Sequence, residues 1–175
     1  MNLRARTIHF KLVEEFHAEF IISLRTNREL NKHLSQTDAS VEMQKEWIKK
    51  YKSREESQIE FYFIIFRNDD NKPIGTVRLY DFRRDVNSFC WGSWILNSDK
   101  TKFAALESAF LVYQFAFDTL NFEQSHFDVR KENSKVIAFH EKMGAKQIAE
   151  TELDFLYEIK KESIDAARKR FEKFI

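Results

Sequence analysis

Three groups of residues in this chain have the types and spacing to do chemistry. His140 stands in Phe139-His140-Glu141-Lys142, on a segment with helical spacing. A histidine titrates near pH 6.5 when unperturbed, which suits proton transfer at neutral pH. The run Asn97-Ser98-Asp99-Lys100-Thr101-Lys102-Phe103-Ala104 leads into a long apolar segment. If that segment is a helix, its start offers backbone N–H donors and a positive dipole end, the setting a phosphate needs. Lys100, Thr101 and Lys102 would add side-chain donors, Ala104 and Ala105 leave room, and Asp99 works against an anion. Arg25 and Arg28, with Asn27 between them, form the third group and can hold a phosphate. Each group also has a plain alternative: a structural histidine at a core edge, a charged loop, and solvated cations at a helix end.

Other chemistries lack their residues. The five histidines show no pair at metal-ligand spacing, and one cysteine, Cys90, cannot build a zinc site, so no metal is expected. There is no Gly-Lys-Ser/Thr phosphate loop and no Gly-x-Ser-x-Gly elbow. With 29 Lys and Arg against 28 Asp and Glu, the net charge of +1 gives no global field for nucleic acid. A lone cysteine excludes an intrachain disulfide and fits a reducing compartment. The stretch Met1 to Arg6 lacks the apolar core of a signal peptide, and the apolar runs between Phe103 and Leu120 fall far short of the roughly 20 residues of a membrane span. A soluble cytoplasmic protein, with neither membrane nor nucleic acid as partner, is the expectation.

The elements that would position these groups follow from periodicity. At 175 residues the chain reads as one domain over residues 1–175. Its 18 Phe raise aromatics to 15% and sit mostly inside periodic segments, which points to an aromatic core or cleft. A strand is predicted within Ile8 to Val13, then helices over Glu15 to Arg25 and Val41 to Lys52 with a polar stretch, Asn27 to Thr37, between them. The continuous run Glu60 to Phe66 reads as a strand buried on both faces. Strands from Ile74 to Phe82, opened by Pro73, and from Phe89 to Leu96 complete an antiparallel meander. Gly92, inside the last of these, marks a bulge, a close backbone approach or a kink beside Trp91 and Trp94. A helix from Phe103 to Leu120, a strand over His126 to Arg130 and a short helix capped by Asn133 and stopped by Gly144 follow. Runs near Ile148 to Leu153 and Phe155 to Ile159 should complete the core, and Ser163 to Phe174 reads as a charged terminal helix.

This order, together with Asn133-Ser134-Lys135-Val136-Ile137-Ala138-Phe139-His140-Glu141-Lys142-Met143-Gly144-Ala145, resembles the GNAT superfamily of acyl-CoA N-acetyltransferases. In that family the block usually reads Asn-x-x-Ala-Ile-x-x-Tyr-Glu-Lys-x-Gly-Phe, so His140 and Ala145 depart from it. The resemblance implies an α/β (α+β) fold: a mixed, mostly antiparallel sheet with helices on both faces, here with an extra C-terminal helix. It implies acetyl-CoA as co-substrate. Trp94, Ile95 and Leu96 would bond the pantetheine arm through their main chain, Lys100 to Ala104 would hold the pyrophosphate, and Asn133 would reach the cofactor arm. His140 would take the place of the tyrosine that protonates the leaving thiolate. The missing glycines between Gly92 and Gly144 are the largest departure from the family pattern. Transfer to an amine also needs a base, for which Tyr80, Asp81 and Glu60 are candidates. Arg25, Asn27, Arg28, His33 and Thr37 would form the substrate wall. Leu24-Arg25-Thr26-Asn27, Trp47-Ile48, a Pro73-Ile74-Gly75 turn and the Phe139 to Lys142 block look like the branch that acetylates nucleotide-linked amino sugars. They are similar also to the branch that acetylates ribosomal and other protein N-terminal amines. The rival reading is a GNAT-fold binding module without catalysis. Pairing of the terminal helix in a homodimer stays open.

Overall fold

In the computed structural model, which describes residues 2–30, 32 and 40–175, seven strands form one sheet in the order β1-β2-β3-β4-β5-β7-β6. The first four, β1 (Ile8–Leu12), β2 (Phe61–Arg67), β3 (Pro73–Arg83) and β4 (Ser88–Leu96), make the antiparallel half. The other half is β5 (Gln124–Arg130), β6 (Lys146–Glu150) and β7 (Asp154–Lys160), with β7 antiparallel to both neighbours.

The halves meet in a single parallel contact. β4 pairs with β5 only at Ser88↔Gln124 and Phe89↔Ser125. Beyond those residues the strands part. The edges from Cys90 to Leu96 and from His126 to Arg130 therefore have no ladder between them, and their main-chain groups face a gap.

Alternation along β2 explains its continuous apolar run. Phe61, Phe63 and Ile65 point into the larger core, while Tyr62 and Ile64 point into a second one. The second core sits under α1 (Ala18–Arg25) and α2 (Val41–Glu56), with Ile21, Ile48 and Tyr51 closing on Tyr62. The larger core lies under α3 (Ala104–Gln114), α4 (Ser134–Met143) and α5 (Lys161–Phe171). Phe115 stands edge-on to Phe61 and Phe63, with centroids 4.9 and 5.4 Å away. Pairs of this geometry add about 0.5–1.5 kcal/mol each beyond the area they bury. The described phenylalanines are mostly core, as expected, with Phe16 at 79% exposure a clear exception.

Four expectations need correction. α2 runs on past Lys52 to Glu56, and Ser57 ends it by returning its N–H and hydroxyl to the Ser53 carbonyl. The helix expected to reach Leu120 stops at Gln114 and gives way to a π-type turn, Phe115–Thr119, closed by Leu120 N–H on the Phe115 carbonyl at 3.1 Å. Pro73-Ile74-Gly75 lies inside β3 rather than in a turn. The run near Ile148 to Leu153 does not complete the core, because β6 is the outer edge strand, and Ile148 and Leu153 are each 54% exposed. The glycine stop is as expected: Gly144 has φ of +102°, which a side chain would strain.

Candidate active site

The parting of β4 and β5 opens a cleft of about 630 Å³. Its walls are β4 from Trp91 to Leu96, β5 from Phe127 to Arg130, the start of α4, Ala105 of α3, and Glu29, Leu30 and Lys32 after α1. No helix of the described residues is long and apolar enough to cross a membrane.

A bulge shapes the β4 wall. Arg78 pairs with Gly92 and Thr76 with Ile95, so Val77 alone faces both Ser93 and Trp94. Ser93 takes the left-handed conformation, φ +46°, and its carbonyl accepts a 2.9 Å bond from Thr76 Oγ1. The strained residue is thus Ser93, next to the glycine and not the glycine itself. Gly92 serves close approach, since a Cβ there would lie 3.0 Å from the Tyr80 hydroxyl.

The expected cofactor residues divide. Trp94, Ile95, Leu96, Lys100 and Asn133 line the cleft. Asn133 is also the cap of α4, its Oδ1 accepting from Val136 N–H at 3.4 Å. Thr101, Lys102, Phe103 and Ala104 do not line it. Thr101 is hydrogen-bonded to the Thr7 hydroxyl at 2.6 Å, and Thr7 in turn bonds the buried carboxylate of Glu107. The Lys102 ammonium lies over the Phe103 ring, which packs against Phe174 with centroids 5.1 Å apart. Ala104 is fully buried, and it is its neighbour Ala105 that reaches the cleft. Asp99 no longer opposes an anion, because Lys72 pairs with it at 2.9 Å.

His140 reaches the cleft from α4 but is only 4% exposed. Its ring is packed by Trp91, Phe127, Trp94 and Phe139, the nearest being Phe127 at 4.3 Å between centroids. Burial alone pushes its pKa down to about 3, and its Nδ1 meets no partner among the described residues. The imidazole is therefore neutral at pH 7, which corrects the expectation of an imidazolium that protonates a thiolate.

The base candidates are also corrected. Tyr80 lines the cleft, but burial foremost, then the neighbouring Cys90, raises its pKa, so the phenol keeps its proton. It can donate and does not act as a base. Asp81 lies outside the cleft and accepts from His126 Nε2 at 2.9 Å and Arg83 Nη2 at 2.7 Å. Those two bonds, His126 first, hold its carboxyl below the usual range. Glu60 is buried and bridges Arg54 Nε at 2.5 Å and Arg78 Nη1 at 3.3 Å.

The substrate wall is built from neighbours of the residues expected. Glu29, Leu30 and Lys32 line the cleft, whereas Arg25, Asn27 and Arg28 do not. Asn27 instead organises the turn, its Oδ1 accepting from the N–H of Glu29 at 3.0 Å. Arg25 faces Tyr62, whose pKa burial raises and the guanidinium only partly offsets. His33 and Thr37 lie outside the described residues.

Two features escaped the sequence reading. Asp128 lines the cleft with an exposed side chain, although the alternation Phe127-Asp128-Val129 already marked it as outward-facing. Arg78 lies over both Tyr80, at 4.4 Å, and Trp47, at 5.6 Å, tying α2 to the cleft wall. Nothing in the spacing of these residues announced that contact.

The cleft fits an acyl-CoA. Two unladdered strand edges can take up an extended amide-bearing arm, and the first turn of α3 presents Ala105 beside Lys100. A loop poor in glycine can thus still admit a phosphate at the helix start beside the small Ala105.

Comparison with known proteins agrees with this geometry. The sequence profile of the acetyltransferase (GNAT) domain matches residues 7–146. A solved structure, apo FdhC, described as a nucleotide-linked sugar GNAT, is 52% identical with a TM-score of 0.93, covering 99% of this chain and 98% of its own. Probable N-acetyltransferase YjcK of Bacillus subtilis (strain 168) is 28% identical over 148 residues, 81% of this chain and 82% of that protein. The ribosomal-protein-S5-alanine acetyltransferase of Vibrio fischeri shares the fold at 16% identity and a TM-score of 0.78, over 91% and 96% of the two chains.

Proposed function

The chain belongs to the GNAT acetyltransferase family, and from that membership we propose that it moves acetyl from acetyl-CoA to the amine of a nucleotide-linked amino sugar. The observation that carries the acceptor is the 52% identity, over 99% of the chain, to a protein described as a nucleotide-linked sugar GNAT.

Acetyl-CoA supplies the thioester. The facing edges of β4 and β5 would hold its arm, Asn133 would meet that arm from α4, and Lys100 with the start of α3 would face the pyrophosphate. Main-chain N–H groups from Trp94 to Leu96, at the bulge, would polarise the carbonyl. Tyr80 holds its proton at neutral pH and is the donor offered to the sulfur. His140, neutral among aromatic rings, keeps that end of the cleft dry.

Transfer is direct. Cys90, beside Tyr80, is the one thiol, and burial foremost pushes it up to about 12. A thiol held protonated is a poor nucleophile, so no acyl-enzyme forms on it.

The test is a steady-state assay with acetyl-CoA and a panel of nucleoside-diphosphate-linked amino deoxyhexoses, against peptides with free N-termini. At least one sugar nucleotide should be acetylated with a turnover on the order of 1–10³ per second. Acetylation of peptides alone would transfer the assignment to the protein-acetylating branch. No turnover of either, with acetyl-CoA bound, would support the binding-module reading.

A further inference from the structure

We infer that Asp128 takes the proton from the acceptor amine. This rests on the amine transfer proposed above, and it assigns a residue that was not among the sequence candidates for the base.

The position is set by the sheet. Counting on from the parallel pairs Ser88↔Gln124 and Phe89↔Ser125, the residue level with Asp128 across the gap is Gly92. Both line the cleft, as does Tyr80, whose hydroxyl fills the space that a side chain at Gly92 would take. Phe127 and Val129 are buried, so the exposed Asp128 projects to the opposite face of the sheet, the one that carries α1 and α2. An acceptor entering from that face meets a carboxylate at the level where the strands part, one residue from the bulge at Ser93 and Trp94.

Pairing separates Asp128 from the other acids. Asp81 is held by His126 and Arg83, Glu60 by Arg54 and Arg78, Asp99 by Lys72 and Asp154 by Arg130. Such a carboxylate gives up a cation when it takes a proton. Among the described residues Asp128 makes no hydrogen bond or ion pair that it would have to give up. Glu29 and Glu132 also line the cleft, but they belong to the loops after α1 and after β5 and not to the strand level with Gly92.

The groups around it are few. Tyr80 of β3 and Cys90 of β4 both feel its charge. His126 and Arg130 share its strand face, Leu156 of β7 lies opposite with Asp154 and Glu158 two positions to either side, and Glu29 and Lys32 stand on the loop across the cleft.

The step balances. One proton passes from the ammonium to Asp128, and the nitrogen lone pair forms the N–C bond at the thioester carbonyl. The C–S bond breaks with its electron pair on sulfur. The second amine proton ends on that sulfur by way of Tyr80, leaving amide and thiol, and Asp128 returns its proton to water.

Asp128→Asn and Asp128→Glu in the full chain test this. With the sugar-nucleotide panel, Asp128→Asn should lower kcat roughly 10²- to 10⁴-fold and remove the acid limb of the rate–pH profile. Its KM for acetyl-CoA should stay near that of the parent, and Asp128→Glu should recover part of kcat. A kcat within about tenfold of the parent, with the acid limb intact, overturns the inference. If the parent acetylates no sugar nucleotide, the acceptor assignment fails separately, and slow hydrolysis of acetyl-CoA decides on Asp128. Water then stands in for the amine: loss of hydrolysis in Asp128→Asn upholds the role, and unchanged hydrolysis overturns it.

Discussion

Where β4 and β5 part, the two faces of the sheet treat polar groups in opposite ways. On the α3 and α4 side, His140 lies among Trp91, Trp94 and Phe127, and burial alone strips its charge. On the α1 and α2 side, Glu60 is paired with Arg54 and Arg78, and Asp128 faces water. Phe127 and Asp128 are adjacent in sequence and fall on different sides of this divide. Because strand side chains alternate, one β-strand can border a dry pocket and a charged one at once. An acyl transfer to an amine needs both: a dry place for the thioester and a charged one for the ammonium.

Changes on the charged side should cost most. Glu60→Ala leaves Arg54 and Arg78 facing each other without their shared carboxylate. A loss of about 3 kcal/mol in urea unfolding is expected, since a broken buried pair strands its partner. A loss near zero would mean that this face behaves like open surface and that the contrast is false.

The dry side has a smaller, pH-dependent signature. His140 has a folded-state pKa below its ordinary value, so the unfolded chain binds the extra proton first. Stability is then full above about pH 6.5 and is lost as pH falls toward about 3. Between pH 7.5 and 5 the native protein should lose about 2 kcal/mol more than His140→Phe, which has nothing to titrate. Parallel unfolding curves for the two proteins would show that the imidazole is wetter than its packing implies.

Much of the fold was readable because its signals are local. The meander, Pro73 at the head of β3, the Asn133 cap and the Gly144 stop each rest on a few neighbouring residues. β6 was misread because an edge strand can carry Ile148 and Ala149 without burying them, and nothing in the pattern distinguishes edge from centre. The site was less readable for a related reason. Asn133, Trp94 and Lys100, which line the cleft, each belong to a contiguous block or loop. Asp128 escaped because its importance comes from the register of β5 against β4, over a separation of 36 residues in Ser88↔Gln124. Thr101 and Lys102 looked available for a phosphate, yet Thr7 and Phe103 occupy them, and Thr7 is distant in sequence.

The central claim is that the gap between β4 and β5 receives acetyl-CoA despite its glycine-poor entrance. A thermal-melt titration with acetyl-CoA, with coenzyme A and a free nucleotide as controls, tests it most directly. At a hundred times its dissociation constant the ligand should add about 2.7 kcal/mol to the native state. For a chain of this size that is a rise of roughly 5 to 10 °C in Tm, shared by coenzyme A and not by the nucleotide. No shift at millimolar acetyl-CoA would contradict the account, and with it every role assigned to the residues of the cleft.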